Sequence, residues 1–134
     1  MFYDPLATSR DLFRDVVEFS IKFLPEFVPA NSHDLTEDVQ KFRSKFLQEE
    51  LDEYNQAIDK KDHEKAFDGL IDLIYVALGT AYLHGYDFDA GWERVHAANM
   101  AKVRCFREGD STRGSTWDVI KPAGWTAPVL KDLL

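Results

Sequence analysis

The sequence predicts an all-α protein: an antiparallel bundle of four main helices with an irregular C-terminal tail, assembled as an oligomer. Three observations carry this reading. Apolar residues recur at helical spacing in four segments separated by short polar or proline-containing connections. No segment shows strand alternation, and no internal repeat or low-complexity tract interrupts the helical pattern. One helix is apolar nearly all round, which a chain of 134 residues and 15.4 kDa can hardly cover alone.

Each element has its own signals. The first helix is expected from Ser9, as N-cap, through Asp11 to Phe19, ending near Pro25 or Pro29 because proline cannot continue the ladder. A loop, Pro29-Ala30-Asn31-Ser32-His33-Asp34, follows. The second helix begins near Thr36, with Glu37 and Asp38 suited to its positive N-terminal end, and runs to about Ile58. Asp59-Lys60-Lys61-Asp62 is a polar connection. The third helix spans about His63 to His84 and stops at Gly85, which takes the left-handed conformation that closes helices. Asp87 or Asp89 caps a fourth helix reaching about Lys102. Beyond it Gly109, Gly114, Pro122, Gly124 and Pro128 break every period, so an irregular tail pinned by Trp117 and Trp125 is expected. The third helix carries Leu70, Ile71, Leu73, Ile74, Tyr75, Val76, Ala77, Leu78 and Ala81 around its circumference. A homodimer or homotetramer would cover what remains.

Composition narrows the functional classes. One domain is expected over residues 1–134, with a helical core of about 9–102 and a tail of 103–134. Formal charge is −8, from 24 acidic against 16 basic residues, which argues against nucleic acid as a partner. The longest uncharged apolar stretch, Leu73 to Leu83, is about half the ~20 residues a membrane span needs. Cys105 is the only cysteine, so no intrachain disulfide forms. Met1-Phe2-Tyr3-Asp4-Pro5 has no basic segment leading into an apolar one, and a cytoplasmic location is expected. Charge is uneven: residues 1–100 hold 20 acidic and 10 basic side chains, whereas residues 101–134 hold 4 and 6. An acidic body with a basic tail suits a site where metal-binding carboxylates meet phosphate-binding cations.

The informative feature is acids on apolar faces. At about 100° per residue, Val39, Phe42, Phe46 and Ala57 share one stripe of the second helix, and Glu50 and Glu53 fall within it. Glu49 lies at its edge, and Asp52 points to the far side. On the third helix Asp68 and Asp72 share a stripe with Val76, Gly79 and Leu83. Carboxylates so placed repel one another unless something positive lies between them. Salt bridges are one solution, with Lys65 near the Asp68/Asp72 stripe and Arg43 near Glu50. A hard divalent cation is the other, Mg²⁺ or Mn²⁺, since all the ligands are oxygens. Carboxylate-held Mg²⁺ is in turn the usual apparatus of phosphoryl chemistry.

Three segments carry a resemblance: Leu47-Gln48-Glu49-Glu50-Leu51-Asp52-Glu53, then Asp68 to Ala81, then Val95-His96-Ala97-Ala98-Asn99-Met100-Ala101-Lys102. In this order they resemble the MazG-like all-α nucleoside triphosphate pyrophosphohydrolases, in particular small members encoded by bacteriophages, whose location would be the host cytoplasm. The closing Asp118-Val119-Ile120-Lys121-Pro122-Ala123-Gly124-Trp125, with Pro128 and Leu130, is similar to their tail, so the likeness covers about residues 40–130. The resemblance implies hydrolysis between the α and β phosphates, giving monophosphate and diphosphate, with deoxynucleotides such as dGTP or dUTP as candidate substrates. It implies that Glu50 and Glu53 hold Mg²⁺, with Mn²⁺ as substitute, and that Glu49 holds or activates water. Asp72 matches the aspartate of a Glu-x-x-Asp motif whose glutamate is replaced by Gly69; Asp68 would substitute for it. Asn99 and Lys102 match a phosphate-binding Asn-x-x-Lys. At i,i+3 they offer an amide donor and a cation on one helix face. Arg104, Arg107, Arg113 and Lys121 are further basic residues that offer either phosphate contacts or, more commonly, a plain surface role, and Tyr54, Trp117 and Trp125 are aromatics that either stack on a base or, more commonly, pack in the core.

Three rival chemistries fit less well. A di-iron bundle needs two Glu-x-x-His motifs, and Glu93-Arg94-Val95-His96 is the only one. His33-Asp34 is preceded by no further histidine and reads as a turn, and Cys105 has no evident base partner. The non-enzymatic alternative is a metal-stabilised helical oligomer that binds a nucleotide, or docks on a protein, without turnover.

Overall fold

The computed structural model describes residues 10–26 and 34–134. Four helices account for most of them: α1 (Leu12–Phe23), α2 (Glu37–Asp59), α3 (His63–His84) and α4 (Phe88–Met100). The all-α class is as the sequence predicts. Local chemistry sets the ends. The Asp11 carboxylate caps α1 at the Arg14 N–H, Thr36 caps α2 at Val39, Asp62 caps α3 at Lys65, and Asp87 caps α4 at Ala90. The α1 cap is therefore Asp11, two residues beyond the expected Ser9, which lies outside the described residues. The expected loop at Pro29–Asp34 also lies outside them, except for Asp34. Gly85 closes α3 in the left-handed conformation, with φ 74°.

The chain groups into two compact units, one up to Tyr86 and one from Asp87 to Leu134. In the first unit, a three-residue turn folds α3 back on α2, and this is the most extensive helix pairing; α1 packs on α3. The core is small: Val16 of α1, Ala57 of α2, and Ala66, Val76, Leu78 and Leu83 of α3. Small residues bring the helices close. A Cβ at Gly69 would stand 3.3 Å from the Tyr54 backbone nitrogen, and one at Gly79 would stand 2.8 Å from the Arg43 guanidinium. That guanidinium ties α2 to α3 by donating to Thr80 Oγ1 at 2.9 Å and to the Val76 carbonyl at 2.8 Å. By length and composition alone, α3 is long and apolar enough to cross a bilayer. In this fold the same composition serves a central helix with neighbours on two sides. Part of its surface stays uncovered within the chain, with Phe67 at 67% and Ile74 at 50% exposure.

The second unit holds α4 and the tail, which is more ordered than the sequence suggests. Strands β1 (Val103–Arg104) and β2 (Val119–Ile120) form a two-residue antiparallel ladder, and short 3₁₀ turns occupy Glu108–Asp110 and Lys131–Leu133. Period-based reading cannot detect strands this short. Trp125 anchors the tail by donating from its indole nitrogen to the Ala98 carbonyl at 2.7 Å. Trp117 does not: it is 91% exposed, so the expectation that both tryptophans pin the tail is corrected to Trp125 alone. Cys105 takes the second place instead. It is wholly buried, and its thiol donates to the Arg107 carbonyl, a packing role that leaves no exposed nucleophile.

Candidate functional site

The tight approach of α2 and α3 at Tyr54 and Gly69 brings the acidic stripes together. Glu50 and Glu53 flank the contact on α2, and Asp68 and Asp72 flank it on α3. They are not equally sheltered. Glu50 is buried at 8% exposure and Asp72 is half-buried, whereas Glu53 and Asp68 are exposed. The stripe reading therefore located the four acids correctly but overstated how many are drawn inside. Glu49 is exposed, 3.9 Å from Lys45 one turn before it, and Asp52 is exposed and accepts from Gln48.

Electrostatics marks the site. Burial pushes the Glu50 carboxyl above its ordinary range, and the charges of Glu53, Asp72 and Asp68 and a hydrogen bond with Glu53 push the same way. Asp72 is raised by burial first, then by Asp68 and Glu53. One Glu50 oxygen, Oε2, is buried without any hydrogen-bond partner. A native interior seldom leaves such an atom unmatched. The salt-bridge solution is absent among the described residues: Arg43 is spent on Thr80 and Val76, and Lys65 pairs with neither Asp68 nor Asp72. An unmatched carboxylate oxygen with three acids acting on it supplies oxygen donors only, the ligand type that hard divalent cations take. Among the described residues no three such side chains already stand in the arrangement of a metal site. Mg²⁺ tolerates this, since it keeps several waters and takes other ligands from substrate phosphates. Beside the acids a cleft of about 330 Å³ is lined by Glu53, Gln56, Lys60, Asp62, Lys65 and Asp68.

Gly69 explains the departure from Glu-x-x-Asp. A Cβ at 69 would stand 3.3 Å from the Tyr54 backbone nitrogen, a tight contact, so a glutamate there would need the α2 backbone to give by a few tenths of an ångström. Asp68, one position earlier, brings its charge to bear on both Glu50 and Asp72. Asn99 and Lys102 belong to the second unit, at the end of α4, with Asn99 exposed and Lys102 half-buried. The Lys102 ammonium lies 5.5 Å from the centre of the Trp125 ring. Glu93 and His96 are exposed on α4, and nothing among the described residues completes a di-iron set around them. His33 of the His33-Asp34 pair lies outside the described residues.

The Glu-x-x-Glu on α2 and the acids beside it on α3 accord with the MazG-like all-α nucleotide pyrophosphohydrolases that the sequence resembles. The family model for phosphoribosyl-ATP pyrophosphohydrolase matches residues 21–99, more than half of the chain, and the protein belongs to that family. Its general chemistry is accordingly that of a nucleotide pyrophosphohydrolase. No curated protein sequence matches the chain.

Proposed function

We propose that the protein hydrolyses nucleoside triphosphates, deoxynucleotides such as dGTP or dUTP foremost, to the monophosphate and diphosphate. In this reading Glu50, Glu53, Asp68 and Asp72 hold Mg²⁺, with Mn²⁺ as substitute. The supporting observation is the buried, partnerless Glu50 oxygen, with three further acids acting on its carboxyl and no cation paired to it. A divalent cation held there supplies positive charge to the polyphosphate and acidifies water. The water oxygen bonds to the α-phosphorus, the bond to the α–β bridging oxygen breaks, and diphosphate departs with that oxygen. Glu49, in the solvent-facing position before Glu50, takes the proton of the attacking water. Asn99 and Lys102 bind the polyphosphate, where an ammonium offsets charge growing on the departing group. A homodimer or homotetramer would cover the α3 surface around Phe67 and Ile74.

The test is a diphosphate-release screen over the common NTPs and dNTPs with Mg²⁺, Mn²⁺ or chelator. Phosphoribosyl-ATP is included because the family is named for it. Steady release with a divalent cation, lost with chelator, supports the reading. Saturable nucleotide binding without product from any substrate would replace it with the non-catalytic one. Light scattering at micromolar concentration tests the assembly, and a monomer would overturn that part.

A further inference from the structure

Among the described residues the three lysines of the second unit, Lys102, Lys121 and Lys131, form no ion pair, and two of them meet at one tryptophan. Arg94, Arg107 and Arg113 are bound by Asp132, Asp110 and Asp118. Among the described residues Lys102 and Lys121 form no ion pair, in a chain where acids outnumber bases 24 to 16. Both instead lie over one ring, with ammonium nitrogens 5.5 Å and 5.0 Å from the centre of Trp125. The strand register explains why they meet. Val103 pairs with Ile120 in the antiparallel ladder, so the next position outward sets Lys102 against Lys121. Like charges facing each other at one rung repel. The ring face offsets part of this repulsion, and a bound anion would offset more. Trp125 does not simply follow the lysines. Its indole is held by the Ala98 carbonyl and its backbone N–H by the Pro122 carbonyl, across a turn in which Gly124 adopts φ +80°.

We propose that Lys121 is a second polyphosphate ligand, acting with Lys102 as a two-ammonium clamp whose spacing Trp125 sets. The identity of the ligand, substrate polyphosphate or diphosphate product, rests on the pyrophosphohydrolase reading; the clamp itself rests on register and ring geometry. Lys102, Lys121 and Trp125 all lie beyond residues 21–99, so the family match covers none of the three. An ammonium on a flexible stem is a point charge suited to phosphate oxygens, and two at one rung suit an anion with several. Asn99, in the last turn of α4, accepts the Lys102 backbone N–H at its carbonyl at 3.1 Å and adds an amide donor close to that lysine in the chain. Trp125 touches the lysines, not the phosphate, and is a positioning residue.

Trp92 and Trp117 are exposed, so replacing both with Phe in the full chain leaves Trp125 as the only indole reporter. Inorganic diphosphate and tripolyphosphate, with and without Mg²⁺, should change its emission saturably. Lys121→Met should weaken that binding by about tenfold, as loss of one charge-assisted contact does, and Lys121→Arg should retain most of it. With nucleotide, Lys121→Met should raise KM more than it lowers kcat, at a melting temperature equal to or above the parent's. Trp125→Leu, which removes the reporter, is titrated with diphosphate by calorimetry beside the parent and should bind more weakly although both lysines remain. Unchanged diphosphate affinity and KM in Lys121→Met would overturn the clamp, and unchanged affinity in Trp125→Leu would overturn the positioning role. If no nucleotide is hydrolysed yet diphosphate binds through both lysines, the hydrolase reading fails and the clamp stands. Turnover with an unchanged KM in Lys121→Met is the opposite result.

Discussion

Carboxylates in the two units are held in opposite ways. Asp118 and Asp132 of the second unit sit beside hydrogen-bond donors and arginines: Ser111 and Arg113 for the first, Arg94 for the second. Those donors hold both below the ordinary carboxylate range, Ser111 and Arg94 most strongly. Glu50 and Asp72 of the first unit are raised, by burial first and then by neighbouring acids. Asp118 and Asp132 have partners, whereas the acids between α2 and α3 are crowded together with no cation paired to them among the described residues. The lysines of the second unit invert the pattern, since Lys102 and Lys121 are cations without acids.

The largest expected effect tests whether the crowding serves catalysis. Glu50→Gln keeps the shape and removes the charge, and should lower kcat at least a hundredfold, about 3 kcal/mol or more. In the absence of divalent cations the same variant should melt at or above the wild-type temperature, because a buried repulsion is relieved. Wild-type turnover would break the contrast between the two units, leaving Glu50 as an ill-matched core residue.

Gly69→Glu tests what creates the crowding. Restoring the motif's glutamate should cost about 1–3 kcal/mol of stability by calorimetry, as overpacking does, because the Tyr54 backbone cannot move aside as a side-chain tip could. A variant as stable as wild type would show that α2 and α3 separate easily and that their spacing does not gather the acids.

Asp68→Asn asks whether the exposed acids belong with the buried ones. Titrated with Mn²⁺ in a calorimeter, it should bind about tenfold more weakly, close to Asp72→Asn. Normal affinity would make Asp68 a bystander and shrink the site to three acids.

The smallest effect is a slope. Between the ordinary carboxylate value, roughly 4, and the raised values of Glu50 and Asp72, the folded chain keeps protons that the unfolded chain has lost. Their contribution to metal-free stability therefore falls as pH rises through that window. Asp118 and Asp132 act with the other sign: their stabilisation is present above the unfolded value and is lost as pH drops through their lowered values. Melting curves of wild type and a Glu50→Gln/Asp72→Asn double variant should converge at low pH and separate toward neutrality, the wild type lying lower. Saturating Mg²⁺ should close the gap by stabilising the wild type. Parallel curves at every pH would remove these two acids as the source.

Helix positions were legible in the sequence because capping and termination are local. Thr36, Asp87 and Gly85 act on backbone groups within a turn of themselves, so their residue types announced three helix boundaries without tertiary contacts. The acidic stripes were legible because helical spacing alone sets which side chains share a face. The sequence could not rank those acids. Glu50 is buried and Glu53 exposed because α3 covers one edge of the stripe at the Gly69 contact, and that edge is chosen by how closely two backbones approach. Arg43 was a sensible partner for Glu50 by spacing, yet Thr80 and Val76 reach it from α3 instead. The tail went furthest beyond the sequence. Its two-residue ladder is too short to leave a period, and the meeting of Lys102 and Lys121 depends on the register that sets Val103 against Ile120 and Arg104 against Val119. Chain-local chemistry determined the elements; contacts between elements distant in sequence decided which charges were left unmet.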